Sequence, residues 1–105
     1  MKLFDLISYF RHGGTFEDFC ESNSLDLESE VIEVYAEAPA NLESCLGFFP
    51  IEETEGQIEY QSNGMKYHNL FDFFYFLEVI EEVKNSNLQD VILAQRLFSY
   101  AINDA

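Results

Sequence analysis

Residues 25–38 read LDLESEVIEVYAEA, and the conformation assigned to them decides the fold. Leu27, Val31, Val34, Tyr35 and Ala38 recur on one face at the period of an amphipathic helix. The central Val31-Ile32-Glu33-Val34-Tyr35 also suits a strand, because β-branched and aromatic side chains pack well on a pleated surface. The helical period accounts for a longer stretch than the alternation does, so a helix from Leu25 to Ala38 is expected, stopped by Pro39. On such a helix Asp26, Glu30, Glu33 and Glu37 stand at i, i+4, i+7 and i+11 and stack into one carboxylate stripe. Without interleaved lysines each like-charge pair destabilises a helix by about 0.2–0.5 kcal/mol. Stability alone does not account for that arrangement.

On the N-terminal side, Leu3, Phe4, Leu6, Ile7 and Phe10 give Lys2 to His12 one apolar helical face, ended by Gly13-Gly14. Thr15 is an N-cap for a short second helix to about Glu21, with Asp18 three positions on in a variant of the capping box. On the C-terminal side, Asn41 to Leu46 reads as a capped turn closed by Gly47, and Phe48 to Gly56 as irregular chain. Asn63-Gly64 is a preferred pair for a type I′ hairpin turn. Folding about it pairs Ser62 with Met65, Gln61 with Lys66, Tyr60 with Tyr67 and Glu59 with His68, with Ile58, Tyr60 and Tyr67 on one face. Asn69 then caps a strongly apolar helix from Leu70 to about Lys84, and a last helix runs from Gln89-Asp90 to Ile102. The expected fold is mainly α: a single domain over residues 1–105, a bundle of about five helices with one small β-hairpin near residues 57–68.

The chain carries 20 acidic and 5 basic side chains in 105 residues, a formal net charge of −15, yet 48% of it is hydrophobic and 16% aromatic. That apolar mass excludes a disordered acidic tail. The charge argues against free nucleic acid or an anionic membrane as partner and points to a basic macromolecule. It is also localised. From His12 to Met65 there are 13 acids and no lysine or arginine. A one-sign field of that size raises association rates with a positive partner by roughly 10- to 1000-fold.

No catalytic signature is present: no Gly-rich phosphate loop, GxSxG, HExxH or zinc-ligand spacing. The acidic run Glu52-Glu53-Thr54-Glu55 lacks the alternation and central Gly of an EF-hand loop. His68 opposite Glu59 reads as a cross-strand contact, and His12 as the end of a helix, where a cation suits the dipole. Cys20 and Cys45 stand apart, and neither a secretory h-region nor a membrane-spanning stretch occurs, which together point to the cytoplasm. No catalytic residue, metal or cofactor is expected. The candidate partner-binding residues are Asp26, Glu30, Glu33 and Glu37, the loop acids Glu52, Glu53 and Glu55, and Phe48-Phe49 as an apolar anchor ringed by carboxylates.

In size, acidity, its Glu/Asp-only middle and its helix- and aromatic-rich ends, the chain resembles the small immunity proteins of bacterial contact-dependent growth inhibition systems. The resemblance implies a tight, non-catalytic inhibitor that binds one cognate toxin 1:1, such toxins being commonly basic nucleases. Occlusion is the implied mechanism, with carboxylates where substrate phosphates would lie. The alternative is a phage-type nucleic-acid mimic, an anti-restriction or anti-CRISPR inhibitor of a basic host nuclease complex. A small acid-surfaced enzyme or metal-binding domain is the third reading.

Overall fold

The computed structural model describes residues 1–104 and places the decisive stretch in a strand. In chain order the elements are α1 (Leu3–Arg11), α2 (Phe16–Ser22), β1 (Ile32–Glu37), β2 (Leu46–Pro50), α3 (Ile51–Thr54), β3 (Glu59–Ser62), β4 (Met65–Asp72), α4 (Phe73–Glu82) and α5 (Asp90–Asp104). The four strands form one antiparallel sheet in the order β2-β1-β4-β3. The architecture is therefore α/β, and the mainly helical bundle expected from the sequence is wrong.

The Leu25–Ala38 helix fails for an identifiable reason. Its apolar face needs Leu27, and Leu27 is 53% exposed in the turn that precedes β1. In β1 the residues alternate instead. Ile32, Val34 and Ala36 enter the main core, while Glu33, Tyr35 and Glu37 take the opposite face. Both faces of this central strand are covered, so Ile32 to Ala36 are all buried and a simple in/out pattern is hidden. Pairing on both edges, with β2 and with β4, then outweighs any local helical preference.

Two further expectations change with it. Residues 46–50, read as the end of a turn and irregular chain, pair with β1 as the edge strand β2. Asn69 does not cap a helix. The strand continues through it to Asp72, whose Oδ1 accepts the Tyr75 N–H at 2.7 Å and so starts α4 three residues later than expected. The β1–β4 register shifts between Val34 and Tyr35, which face Phe71 and Asn69. Leu70 is thus the extra residue of a β-bulge, and both Leu70 and Phe71 are buried in the core.

The hairpin forms in the register expected. Ser62 pairs with Met65, Gln61 with Lys66, Tyr60 with Tyr67 and Glu59 with His68. Asn63 and Gly64 take φ of 52° and 80°, the left-handed pair that a type I′ turn needs. Ile58 lies just outside β3 and is exposed. Thr15 caps α2 by accepting the Asp18 N–H at 3.2 Å, and His12 ends α1.

α1, α2, α4 and α5 pack on one side of the sheet. Leu3, Leu6, Ile7, Phe10, Phe19, Phe73, Phe76, Leu93 and Leu97 fill the space between them and β1 and β4. The rings of Phe10, Phe19, Phe48, Phe73 and Phe76 meet at centroid separations of 5.1–5.8 Å, in edge and tilted contacts that add to area burial. Arg11 locks the α4–α5 connection onto α1. Its guanidinium pairs with Asp90 at 3.0 Å and donates to the carbonyls of Val83, Ser86 and Leu88. No helix of the described residues is long and apolar enough to cross a membrane.

Candidate functional site

The helices leave the other side of the sheet with far less cover, and the acidic segment folds onto it. Strand alternation places Glu33, Tyr35 and Glu37 of β1 there. Gly47 and Phe49 join them from β2, Tyr67 and Asn69 from β4, and Tyr60 from β3. Four rings make a second aromatic cluster, separated from the core by the sheet itself. Phe49 lies 5.1 Å from both Tyr60 and Tyr67 and 5.6 Å from Tyr35, and Tyr35 lies 6.1 Å from Tyr60. Gly47 is required beneath them. A Cβ there would sit 2.8 Å from ring carbons of both Phe49 and Tyr67.

The face is partly roofed by α3 and the turn after it. Tyr35 is fully buried, and its hydroxyl donates to the Gln57 carbonyl at 2.5 Å. Glu33, only 9% exposed, accepts the Thr54 hydroxyl and the Asn69 side-chain amide, each at 2.9 Å. Those two bonds satisfy a carboxylate that would otherwise be costly to bury. They also fasten α3 to the sheet. Phe49, Tyr60 and Tyr67 remain half-buried.

Carboxylates stand at the hydroxyl ends of the two outer tyrosines. The Tyr60 hydroxyl faces Glu53; burial first, and then this neighbouring charge, push the phenol above its ordinary value. Burial, then Glu37 and Cys45, do the same to Tyr67. Glu52 turns the other way. It accepts the Ser29 hydroxyl at 2.6 Å and the Glu30 N–H at 3.1 Å, and these bonds hold its carboxyl below the usual range. Glu55 closes α3 in a left-handed conformation (φ 55°) and is exposed. None of the ion pairs among the described residues involves Glu33, Glu37, Glu52 or Glu53.

The residues singled out in the sequence are therefore redistributed. Glu33, Glu37, Phe49 and Glu53 come together on the outer sheet face. Glu30 and Glu52 meet at its margin. Asp26 lies in the preceding turn, where its Oδ1 accepts the Glu28 N–H at 2.9 Å. No helical stripe exists, since Asp26 and Glu30 are in a turn and Glu33 and Glu37 in a strand. Phe48 faces the core, 5.1 Å from Phe19. The sequence reading missed Tyr35, Tyr60, Tyr67, Gly47, Thr54 and Asn69. The Glu33-Tyr35-Glu37 alternation was the signal that could have found the face.

The arrangement offers apolar ring surface and negative charge without a cation of its own. Among the described residues no group of three or more His, Cys, Asp or Glu could hold a metal ion. A concavity on the helical side, lined by Phe10, Arg11, Ile80 and Lys84, is walled by the same Arg11 that anchors the loop. No protein-family model, curated protein or solved structure matches the chain.

Proposed function

We propose that the chain is a non-catalytic inhibitor of the immunity-protein kind, binding one basic, nuclease-class toxin domain 1:1 and covering its substrate surface. The observation that supports this reading is the outer sheet face. Half-buried Phe49, Tyr60 and Tyr67 are flanked there by carboxylates, and Phe49 and Tyr60 belong to the His12–Met65 segment of 13 acids and no lysine or arginine. Aromatic anchors surrounded by polar groups are the usual makeup of binding hot spots. Carboxylates on such a face occupy the positions that substrate phosphates would take. Buried interfacial ion pairs often only break even against apolar contacts of the same shape, so the charge is assigned chiefly to association rate and partner choice.

Two unpaired cysteines, one buried and one exposed, suit a reducing compartment, and the inhibitor acts in the cytoplasm. The test is co-expression with the C-terminal domain of the product of the gene directly upstream, which this reading expects to be a large exoprotein. Growth is expected to be restored, and the two purified proteins to elute as a 1:1 complex. Continued killing, with no complex at micromolar concentration, would overturn the proposal.

A further inference from the structure

Resting on the docking reading above, the outer face also specifies which basic side chain it takes. Phe49 is central, with its ring centroid 5.1 Å from those of Tyr60 and Tyr67, which are themselves direct cross-strand partners. Glu37 is the direct cross-strand partner of Tyr67, and Glu53 stands at the hydroxyl of Tyr60. Among the described residues no lysine or arginine is ion-paired with either carboxylate. Lys66, next to Tyr67 in β4, alternates to the other face of the sheet.

An ammonium is a compact, strongly hydrated charge that gains little from a wall of rings. A guanidinium is planar and weakly hydrated, stacks on aromatic faces and presents a fork of N–H donors to a carboxylate. Rings in the middle and single carboxylates at two corners match the second cation better than the first. We infer that Phe49, Tyr60 and Tyr67 form a cradle for an arginine side chain of the partner, its guanidinium on the rings and its N–H groups toward Glu37 and Glu53. Replacing that arginine by lysine keeps the charge and loses the stacking and the fork.

The full chain, labelled with ¹³C, is titrated with N-acetyl-arginine amide and separately with N-acetyl-lysine amide while the ring resonances are followed. The arginine amide is expected to shift the Phe49, Tyr60 and Tyr67 rings saturably, with affinity on the order of three- to ten-fold above that of the lysine amide. Phe49→Leu, checked for folding by circular dichroism, removes the preference. Equal responses to the two amides, or shifts spread over the acidic surface, overturn the cradle. Toxin complex formation is read separately. A complex that Phe49→Leu does not weaken also overturns the cradle and leaves the inhibitor reading standing. Arginine-selective shifts without any toxin complex support the cradle and remove the inhibitor reading.

Discussion

Phe48 and Phe49 are consecutive residues of β2 whose rings lie on opposite sides of the sheet. The Phe48 ring sits 5.1 Å from Phe19 among the core aromatics, and the Phe49 ring 5.1 Å from Tyr60 and Tyr67 on the outer face. Strand alternation alone produces this division, turning one apolar pair into a core residue and a residue of the outer face. Truncating either ring removes packing. Phe48→Ala and Phe49→Ala are each expected to lower stability by about 2–3 kcal/mol, below the cost at a fully buried site because both rings are half-buried. Only Phe49→Ala should weaken toxin binding. Urea unfolding and calorimetric titration of the folded variants measure the two effects separately.

Glu33 fastens α3 to the sheet. Glu33→Ala leaves the Thr54 hydroxyl and the Asn69 amide without their acceptor, and a loss of about 2–3 kcal/mol is expected. Glu33→Gln keeps an oxygen for Asn69 and can donate to the Thr54 oxygen, so its loss should be about 1 kcal/mol. Chemical denaturation of the two variants checks the ranking.

Arg11 holds the connection between α4 and α5 through Asp90 and three carbonyls. Arg11→Met removes those donors and leaves the Asp90 charge half-buried and unpaired. Stability should fall by about 2 kcal/mol, with amide exchange accelerating first in residues 83–90. Toxin affinity of the folded variant should be unchanged, since this corner is on the helical side.

The pH dependence has a different sign at each end of the range. Tyr60 and Tyr67 have phenols raised above their ordinary value of about 10, so their contribution is full below that pH. It is lost as pH rises through the raised folded values. Glu52 is lowered from about 4.5, so its contribution is full above that pH and fades as pH falls through the lowered value. Ring-carbon titration by NMR should show Tyr60 and Tyr67 ionising above the ordinary phenol value of about 10. Acid titration should free the 29–30 turn from α3.

Local signals were legible where the chemistry is local. The Asn63-Gly64 turn set the β3–β4 register, Thr15 marked the start of α2, and the apolar period of residues 3–10 marked α1. The sheet was not legible, because what builds it is pairing between segments far apart in sequence. β1 is buried on both faces, so its alternation sets Glu33, Tyr35 and Glu37 against Ile32, Val34 and Ala36 over only six residues, shorter than the helical period of residues 25–38. Asn69 looked like a cap, yet its amide serves a carboxylate 36 positions earlier. The charge was found as a segment. Its conversion into a face depended on alternation in β1 and on α3 folding over Glu33, and neither can be read from spacing along a helix.

The central claim is that location, not total charge, makes the binding surface. It is tested most directly by two double variants with the same change in net charge. Glu37→Lys with Glu53→Lys alters the outer face, and Glu81→Lys with Glu82→Lys alters the end of α4. Affinity and association rate for the toxin domain are measured from about 50 to about 500 mM salt, over which the screening length shrinks from more than 10 Å to a few. The account predicts a loss of about 100-fold or more for the first pair, a few-fold for the second, and a steep salt dependence in the unmodified protein. Equal losses from the two pairs, or an association rate indifferent to salt, would contradict it.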